Sequence, residues 1–518
     1  MRAIISVWDK TGLLDFGRGL AELGVEIYST GGTYSALESG GVPVKSVSEI
    51  TGFPEIMDGR VKTLHPLISG GILARRDSPE HMAQAREHGI EMIDLVVVNL
   101  YPFLAAAGKP GASDGEIKEM IDIGGPTMIR AAAKNYPDVL VVVDSADYDA
   151  VLQALRRDQV AYELRRSLAA KAFQHTASYD THIAQWMRGK DVLFPDEMTI
   201  ALKKRQDLRY GENPHQQAAF YREVPPPQSF RNLAEARQLN GKELSFCNTL
   251  DLDAAMTCVA DFAAPTVAIL KHTNPCGLAC AEDLLTAYRR AHAGDPVSAF
   301  GGAIGLNRVM DADTAREIAQ AFYEDVIAPG YSPEALEILR AKKNLRVLEA
   351  SFLSSPGAAQ EHPSSVAHLD FKRVAGGFLL QTWDRQEEDD LSLKVVTERD
   401  PTLDELTDLV FAWRTVKHVK SNAIVVAKDK ALVGVGAGQM SRVDSVEIAV
   451  RKAGPRSIGS VMASDAFFPQ ADGVVAAAKG GITAVIQPGG SIRDEDVIRE
   501  ANRHHIAMVF TGRRHFRH

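Results

Sequence analysis

The chain has 518 residues, of which 45% are hydrophobic and 24% charged, enough apolar content to bury more than one core and to exclude a mainly disordered protein. A formal net charge of −9 argues against broad binding to nucleic acid or to a membrane surface, so any anion site must be built locally. Four cysteines, Cys247, Cys258, Cys276 and Cys280, are too few to staple so long a chain and read as reduced thiols in a cytoplasm.

The opening MRAIISVWDKTG lacks a long apolar h-region. No stretch reaches the ~18 apolar residues of a membrane span, so a cytoplasmic protein with no membrane partner is expected. AIISV reads as a strand, TGLLDFGRGLAELG as an amphipathic helix, VEIYS as a strand and TYSALESG as a short helix. IDLVVVNLYPF follows as a buried strand, PTMIRAAAKN as a helix and DVLVVVD as a strand. Near-continuous Val/Ile/Leu runs with helices between them predict a doubly wound parallel sheet covered on both faces.

Between about residues 190 and 232 the pattern gives way to FPDE, RYGENPH and REVPPPQ. Pro, Gly and charge there place a domain boundary near residue 195, giving domains 1–195 and 196–518. Beyond it TLDLDAAMTCVADFA reads as a helix, TVAIL as a strand, AEDLLTAYRRAHA as a helix and GGAIGL as a strand. The order returns in DGVVAAAKGG, ITAVIQ, RDEDVIREANRHH and IAMVF, with HTNPCG and QPGGS as turns before the next helix. This predicts a duplicated α/β unit. LSSPGAAQEHPSS and DRQEEDDLSLK read as solvated loops.

Several loops hold residues suited to chemistry. STGGT, with Thr30, Gly31, Gly32 and Thr33, follows a strand and opens a helix, so its backbone and hydroxyls suit a phosphate. It equally suits an ordinary Thr-capped turn, and it is neither a Walker loop nor a GxGxxG fingerprint. Lys10, Arg60, Lys62 and His65 fall in loops that converge on the crevice of an open α/β sheet, although single loop cations are usually just solvated. Asn99, Tyr101, Asp122 and Lys134 add an acid/base set.

In the second domain Lys271 and His272 end a strand. A histidine there can take a proton near neutral pH, and a lysine in a less polar crevice can give one up. The dipeptide recurs at Lys417 and His418 inside an apparent helix, so only its context singles out the first. Cys276 and Cys280 form a CxxxC without a second pair, a poor zinc signal, and no metal is expected. SNAIVVAKDKALVGVGAGQMSR reads as a hairpin followed by a Gly-rich loop, with Asn422 and Arg442 able to face a ligand. Phe467 and Phe468 offer a platform for a flat ring or simply core. The terminal GRRHFRH reads as a basic tail able to dock.

At these residues the chain resembles the bifunctional AICAR transformylase/IMP cyclohydrolase family of late purine synthesis. The likeness runs through SVWDKTGL, STGGT, GRVKTLHP, NLYPF, DIGGPTMIRAAAKN, LRYGENPHQ, LKHTNPCG, DPVSAFGG, GAGQMSR, SDAFFP and RRHF. Any one motif is weak, but the ordered set over the whole chain is specific. The resemblance implies a methylglyoxal-synthase-like first domain, a second domain of two cytidine-deaminase-like units without the deaminase zinc, and a homodimer. It implies formyl transfer from 10-formyltetrahydrofolate, a co-substrate, to AICAR, then closure of formyl-AICAR to IMP, with no bound cofactor. His272 is then the base, Lys271 the acid at the departing folate nitrogen and Asn422 an orienting group.

By the same resemblance Arg209, Tyr210, Gly301, Glu324, Arg442 and Arg514 hold AICAR, with Phe467, Asp472 and Ser491 bordering the folate or substrate pocket. For ring closure, Lys10, Thr30, Gly31, Gly32 and Thr33 take the phosphate with Arg60, Lys62 and Thr63 beside it. Asn99, Tyr101, Asp122, Ile123 and Lys134 surround the base, and Lys134 assists proton transfer to the oxygen that leaves as water. Trp8 stands where many relatives have serine. Two other readings compete: a zinc deaminase fused to a phosphate-binding domain, against which the missing HxE…PCxxC pattern counts, and a nucleotide sensor without turnover.

Overall fold

The structure, a computed structural model, describes residues 1–54, 56–57, 61–189, 192–224, 232–350, 369–384 and 392–518. It divides into two compact units, Met1–Leu202 and Lys203–His518.

In the first unit, β1 (Arg2–Ser6), β2 (Glu26–Ser29), β3 (Lys45–Ser46), β4 (Leu95–Val98) and β5 (Leu140–Val142) form a five-stranded parallel sheet in the order β3-β2-β1-β4-β5. Alternate residues of each strand feed opposite faces. Ile4, Tyr28, Val96, Val98 and Val141 enter one core, while Ala3, Ile5, Ile27, Val97 and Val142 enter the other. Burial on both faces explains why the strands read as unbroken apolar runs. The chain leaves β1 first toward β2 and later toward β4, so the loops after β1 and β4 flank the reversal point where such sheets bind ligands. A helix absent from the predicted set, Tyr162–Arg188, lays Ala169, Ala172 and Tyr179 on the first of these cores.

At the junction of the two units begins a ribbon, β6 (Leu202–Leu208) and β7 (Ala218–Glu223), in the stretch whose loss of periodicity marks the expected domain boundary. The main strands of the second unit are β8 (Arg237–Asn240), β9 (Thr266–Lys271), β10 (Asn274–Cys280), β11 (Ala303–Leu306), β12 (Asp325–Ala328) and β13 (Arg346–Glu349). A hairpin of its own follows, β14 (Leu369–Val374) and β15 (Gly377–Thr382). Next come β16 (Lys394–Val395), β17 (Ile424–Lys428), β18 (Ala431–Gly436), β19 (Val461–Ser464), β20 (Ala484–Gln487) and β21 (Ala507–Phe510).

Twelve of these form one sheet, β16-β21-β20-β19-β17-β18-β10-β9-β11-β12-β13-β8. It is the same half written twice. Each half has an antiparallel hairpin, three parallel strands and an antiparallel edge strand, and the halves join where β10 meets β18 at Ala279 and Ala431. The helices Phe246–Val259 and Leu403–Val416 cover one face over a single shared core. On the other face each half keeps a separate core.

The duplication therefore holds, but the pairing read from the sequence is corrected. The segment from helix Phe246–Val259 to β11 matches that from helix Leu403–Val416 to β19, not the stretch from residue 472 onward. NPCG is corrected too: it is the start of β10, and the turn is His272–Thr273, both at positive φ. Pro275 fits because the pairing with β9 is irregular between Pro275 and Gly277, and bulges tolerate proline. Lys417 and His418 lie just beyond their helix, which ends at Val416. Residues 353–365 and most of 384–394, read as solvated loops, lie outside the described residues.

Two candidate active sites

In the first unit a cavity of about 670 Å³ opens at the reversal point, lined among others by Lys10, Thr30, Gly32, Thr33, Lys62 and Thr63. Asn99, Tyr101, Asp122 and Ile123 line it as well. Thr30 caps the helix Gly31–Ser39, and its buried Oγ1 has no hydrogen-bond partner. An unpartnered hydroxyl at a helix N-terminus, with Lys10 and Lys62 in the same cavity, suits an anion. Gly31 has φ +49°, and a Cβ there would sit 3.1 Å from Lys62 Nζ. Any larger residue would press on that cation.

Two of the expected ligand contacts are largely spent on the loop itself. Thr33 Oγ1 accepts from Val7 N at 3.0 Å and donates to Val7 O at 2.9 Å. Asn99 Oδ1 accepts from Trp8 N at 2.5 Å and Asp9 N at 3.1 Å, while its Nδ2 donates to Asp9 O at 2.9 Å. They fix the loop that carries Lys10. Trp8 is half exposed and meets Tyr101 edge-on, with centroids 5.4 Å apart.

Asp122 sits before the helix Gly124–Lys134, and its Oδ1 accepts from Gly125 N at 2.7 Å. A Cβ on Gly125 would come within 2.6 Å of that carboxylate, and one on Gly124 within 2.6 Å of Thr63 Oγ1. Burial raises the Asp122 carboxyl, partly offset by the Gly125 and Tyr101 amides and by Lys62. Burial, then the charge of Asp122, raises the Tyr101 phenol. Tyr179, which sequence reading missed, donates its hydroxyl to Met120 O at 2.7 Å and accepts from Asp122 N at 2.9 Å. Lys134 is not brought to this cavity: it is the exposed last residue of the helix whose first turn lines it. Arg60 lies outside the described residues. His65 caps the helix Pro66–Leu73 through Nδ1.

In the second unit, the turn His272–Thr273 has φ +52° and +60°, as a two-residue hairpin loop demands. The imidazole of His272 is thereby presented at the exposed tip of the hairpin. Lys271 Nζ donates to the carbonyls of Phe300 and Gly301, both at 3.0 Å. Asn274 Nδ2 donates to His272 O at 3.0 Å, and its Oδ1 accepts from Lys420 N at 3.0 Å. That bond ties the histidine turn to the segment carrying Asn422. Arg442 continues the chain, donating to Asn422 Oδ1 at 2.8 Å, Ser464 Oγ at 2.8 Å and Asp465 Oδ1 at 2.5 Å.

The remaining expected residues divide between the halves. Arg209 and Tyr210 run beside the start of helix Phe246–Val259, with Phe246 N donating to Tyr210 O at 3.2 Å. Glu324 pairs with Arg346 at 3.0 Å. In the second half Phe467 is exposed while Phe468 is core, Asp472 accepts from Gly473 N at 2.8 Å, and Ser491 Oγ accepts from Arg493 N at 3.1 Å. The exposed Arg514 lies over the Phe516 ring. The tail is docked through buried His515, which bonds Asp384 at 2.7 Å.

Residues that the sequence did not single out complete the first-half cluster. Asp251 Oδ1 accepts from Thr273 N at 2.7 Å, and Asn248 Nδ2 donates to Asp325 Oδ2 at 2.9 Å. Only their place one and two turns into a helix abutting the histidine hairpin marks them. Cys276 and Cys280 enter cores on opposite faces of the sheet, so they cannot share one ion. Among the described residues no group of three His, Cys, Asp or Glu side chains is gathered to hold a metal, and no helix is long and apolar enough to cross a membrane.

Two family models match the chain, one described as AICARFT/IMPCHase bienzyme over residues 132–452 and one as MGS-like domain over residues 12–127. The chain is 52% identical over 518 residues to the bifunctional purine biosynthesis protein PurH of Oceanobacillus iheyensis, covering 100% of this chain and 99% of that protein. It is 54% identical over 535 residues to the protein of the same name from Magnetococcus marinus, again covering 100% and 99%. A solved structure titled "Crystal structure of ForH" is 37% identical, covers 36% of this chain and 95% of its own, and has a TM-score of 0.33. The first unit is thus MGS-like, and the second is a larger α/β domain.

Proposed function

The chain belongs to the AICARFT/IMPCHase bienzyme family and joins AICAR transformylase and IMP cyclohydrolase activities in one polypeptide, and from that premise we propose which residues carry each reaction. The second unit, close to the expected domain 196–518, transfers the formyl group of 10-formyltetrahydrofolate to the 5-amino group of AICAR. The first unit, close to 1–195, closes formyl-AICAR to IMP with loss of water.

The amine of AICAR is a poor nucleophile because its lone pair is delocalised into an imidazole bearing a carboxamide. His272 takes a proton from that nitrogen as it bonds to the formyl carbon. Lys271 gives a proton to the folate nitrogen as its bond to the formyl carbon breaks. Positioned proton transfer of this kind contributes roughly 10² to 10⁴-fold. The observation that carries this reading is the hairpin tip: Lys271 held by two carbonyls, and His272 tied through Asn274 to the segment of Asn422 and Arg442. Arg209, Tyr210, Gly301, Glu324, Arg442 and Arg514 are the AICAR contacts of this reading, with Phe467, Asp472 and Ser491 at the pocket border.

In the first unit Lys10, Lys62, Thr63 and the Thr30–Thr33 turn take the phosphate, with Arg60 as a further cation. Lys62, Tyr101 and Asp122 handle protons while the carboxamide nitrogen attacks the formyl carbon and the hydroxyl formed there leaves as water. Lys134 is retained only as a candidate proton donor, since its helix carries it away from the cavity. The repeated order of elements supports reading the two halves of the second unit as cytidine-deaminase-like. Exposed Phe378, Leu379 and Trp383 at the β14–β15 hairpin support a homodimer, because such patches mark interfaces. Four unpaired cysteines suit a reducing, cytoplasmic setting. No metal or bound cofactor enters the reading.

The test is His272→Asn, which tolerates the left-handed turn but removes the imidazole. Tetrahydrofolate release from AICAR and 10-formyltetrahydrofolate should vanish while cyclisation of supplied formyl-AICAR persists. Formyl transfer at the unaltered rate would remove His272 from the reaction.

A further inference from the structure

Asp251 lies on the helix Phe246–Val259 and reaches the histidine hairpin from outside it. Its Oδ1 accepts the Thr273 amide at 2.7 Å, which helps hold the turn in its left-handed form. The second half repeats this device: Asp408, at the same place in the helix Leu403–Val416, accepts from Asp429 N at 2.7 Å and Lys430 N at 2.6 Å. There both carboxylate oxygens are spent on the turn. In the first half one oxygen makes the corresponding turn contact, and the charges of His272 and Lys271 act on the same carboxylate.

Given the reading of His272 as the base, on which this rests, we infer that Asp251 is a positioning residue for formyl transfer. One oxygen clamps the turn, and the negative charge stabilises the imidazolium formed when His272 accepts the amine proton. The groups that face this carboxylate are Lys271 and His272 from the hairpin, Cys247 from its own helix and Asp325 from β12. The first two are the proton carriers of the reaction. Burial raises the Asp251 carboxyl, and the Thr273 amide, His272 and Lys271 draw it back toward the ionised form.

A clamp and a charge are separable. Asp251→Asn keeps an oxygen for the Thr273 amide but loses the charge, so a purely structural residue would tolerate it. The expected result is a kcat for formyl transfer lower by about tenfold, the equivalent of one pKa unit, with KM for AICAR and cyclisation of formyl-AICAR unchanged. Asp251→Glu, which restores the charge, should recover part of the loss. Retained cyclisation alone does not report on the second unit, so its thermal unfolding is compared with that of the unaltered chain. Should Asp251→Asn unfold that unit, Asp251→Glu decides: the inference requires a kcat well above that of Asp251→Ala. Unaltered kcat in Asp251→Asn, or equal kcat in Asp251→Glu and Asp251→Ala, overturns it. Formyl transfer at an unreduced rate in His272→Asn would instead overturn the premise.

Discussion

His272–Thr273 and Asp429–Lys430 turn the two hairpins at the centre of the twelve-stranded sheet, β9–β10 and β17–β18, through the same left-handed geometry, yet only the first bears an imidazole. The surroundings repeat closely. Lys428 Nζ donates to Ile458 O at 3.0 Å as Lys271 does to Phe300 O, and Gly459 stands by Lys428 as Gly301 stands by Lys271. The halves part company across the sheet. Asp465, just after β19, joins Arg442 and Asn422 beside the histidine turn. Asn307, just after β11, is instead consumed by backbone, accepting from Thr266 N and donating to Phe262 O and Ala264 O, all at 2.8 Å. A duplicated scaffold thus supplies turn, lysine shelf and aspartate clamp twice. Only the first tip is tied to a buried side-chain network, Asn422–Arg442–Asp465, supplied by the opposite half.

The strongest way to break this comparison is to compare His272→Asn with Asp429→Asn. The first should cost formyl transfer roughly 10² to 10⁴-fold, and the second should leave it within about twofold, as for most surface changes. Equal losses would mean that both tips take part. Next in size, Lys271→Met should lower kcat by about 10² with Lys428→Met close to unaltered, read from tetrahydrofolate release.

A smaller effect tests the electrostatics. Asp325 is pushed up to about 7 by burial, which outweighs Arg346 at 3.6 Å. A raised carboxyl binds a proton more tightly folded than unfolded, so its contribution to stability fades as pH climbs from about 4 toward about 7. Asp325→Asn should flatten that slope, by on the order of 1–3 kcal/mol between pH 5 and pH 8 in denaturant titrations. The second half runs the other way. Burial would raise Glu405, but Arg399, Thr483 and the Thr402 amide bring it to about 2. Its contribution is present above the unfolded value and is lost as pH falls toward about 2. Glu405→Gln should therefore blunt acid unfolding. Least of all, Gly301→Ala and Gly459→Ala, at φ +66° and +70°, should each cost about 1–2 kcal/mol of stability, but only the former should slow formyl transfer.

Much of this arrangement was legible. Fully buried parallel strands announce themselves as Val/Ile/Leu runs, so β1, β4, β5 and β9 fell where expected, and the loops after β1 and β4 led to Lys10, Asn99 and Tyr101. Lys271 and His272 stood out because a strand ends there. Proline and glycine misled at NPCG, since a bulge lets Pro275 sit within β10 and two non-glycine residues make the turn instead. Asp251 and Asn248 looked like ordinary helix residues, because what distinguishes them is a partner brought alongside by tertiary packing, the histidine hairpin for Asp251 and Asp325 of β12 for Asn248. Lys134 shares a motif with Asp122, yet a helix of 11 residues carries it about 15 Å away at 1.5 Å per residue.

The shared layer beneath helices Phe246–Val259 and Leu403–Val416 has a consequence for how such a gene can be divided. Fission at codon 203 would leave each product with a core of its own. Fission between the repeats would strip β10 from β18 and wet a common interior holding Leu252 on one product and Trp413 on the other. Two such fragments would be obliged to reassociate, so within the second unit an intact repeat pair is the smallest piece that recombination can move without loss.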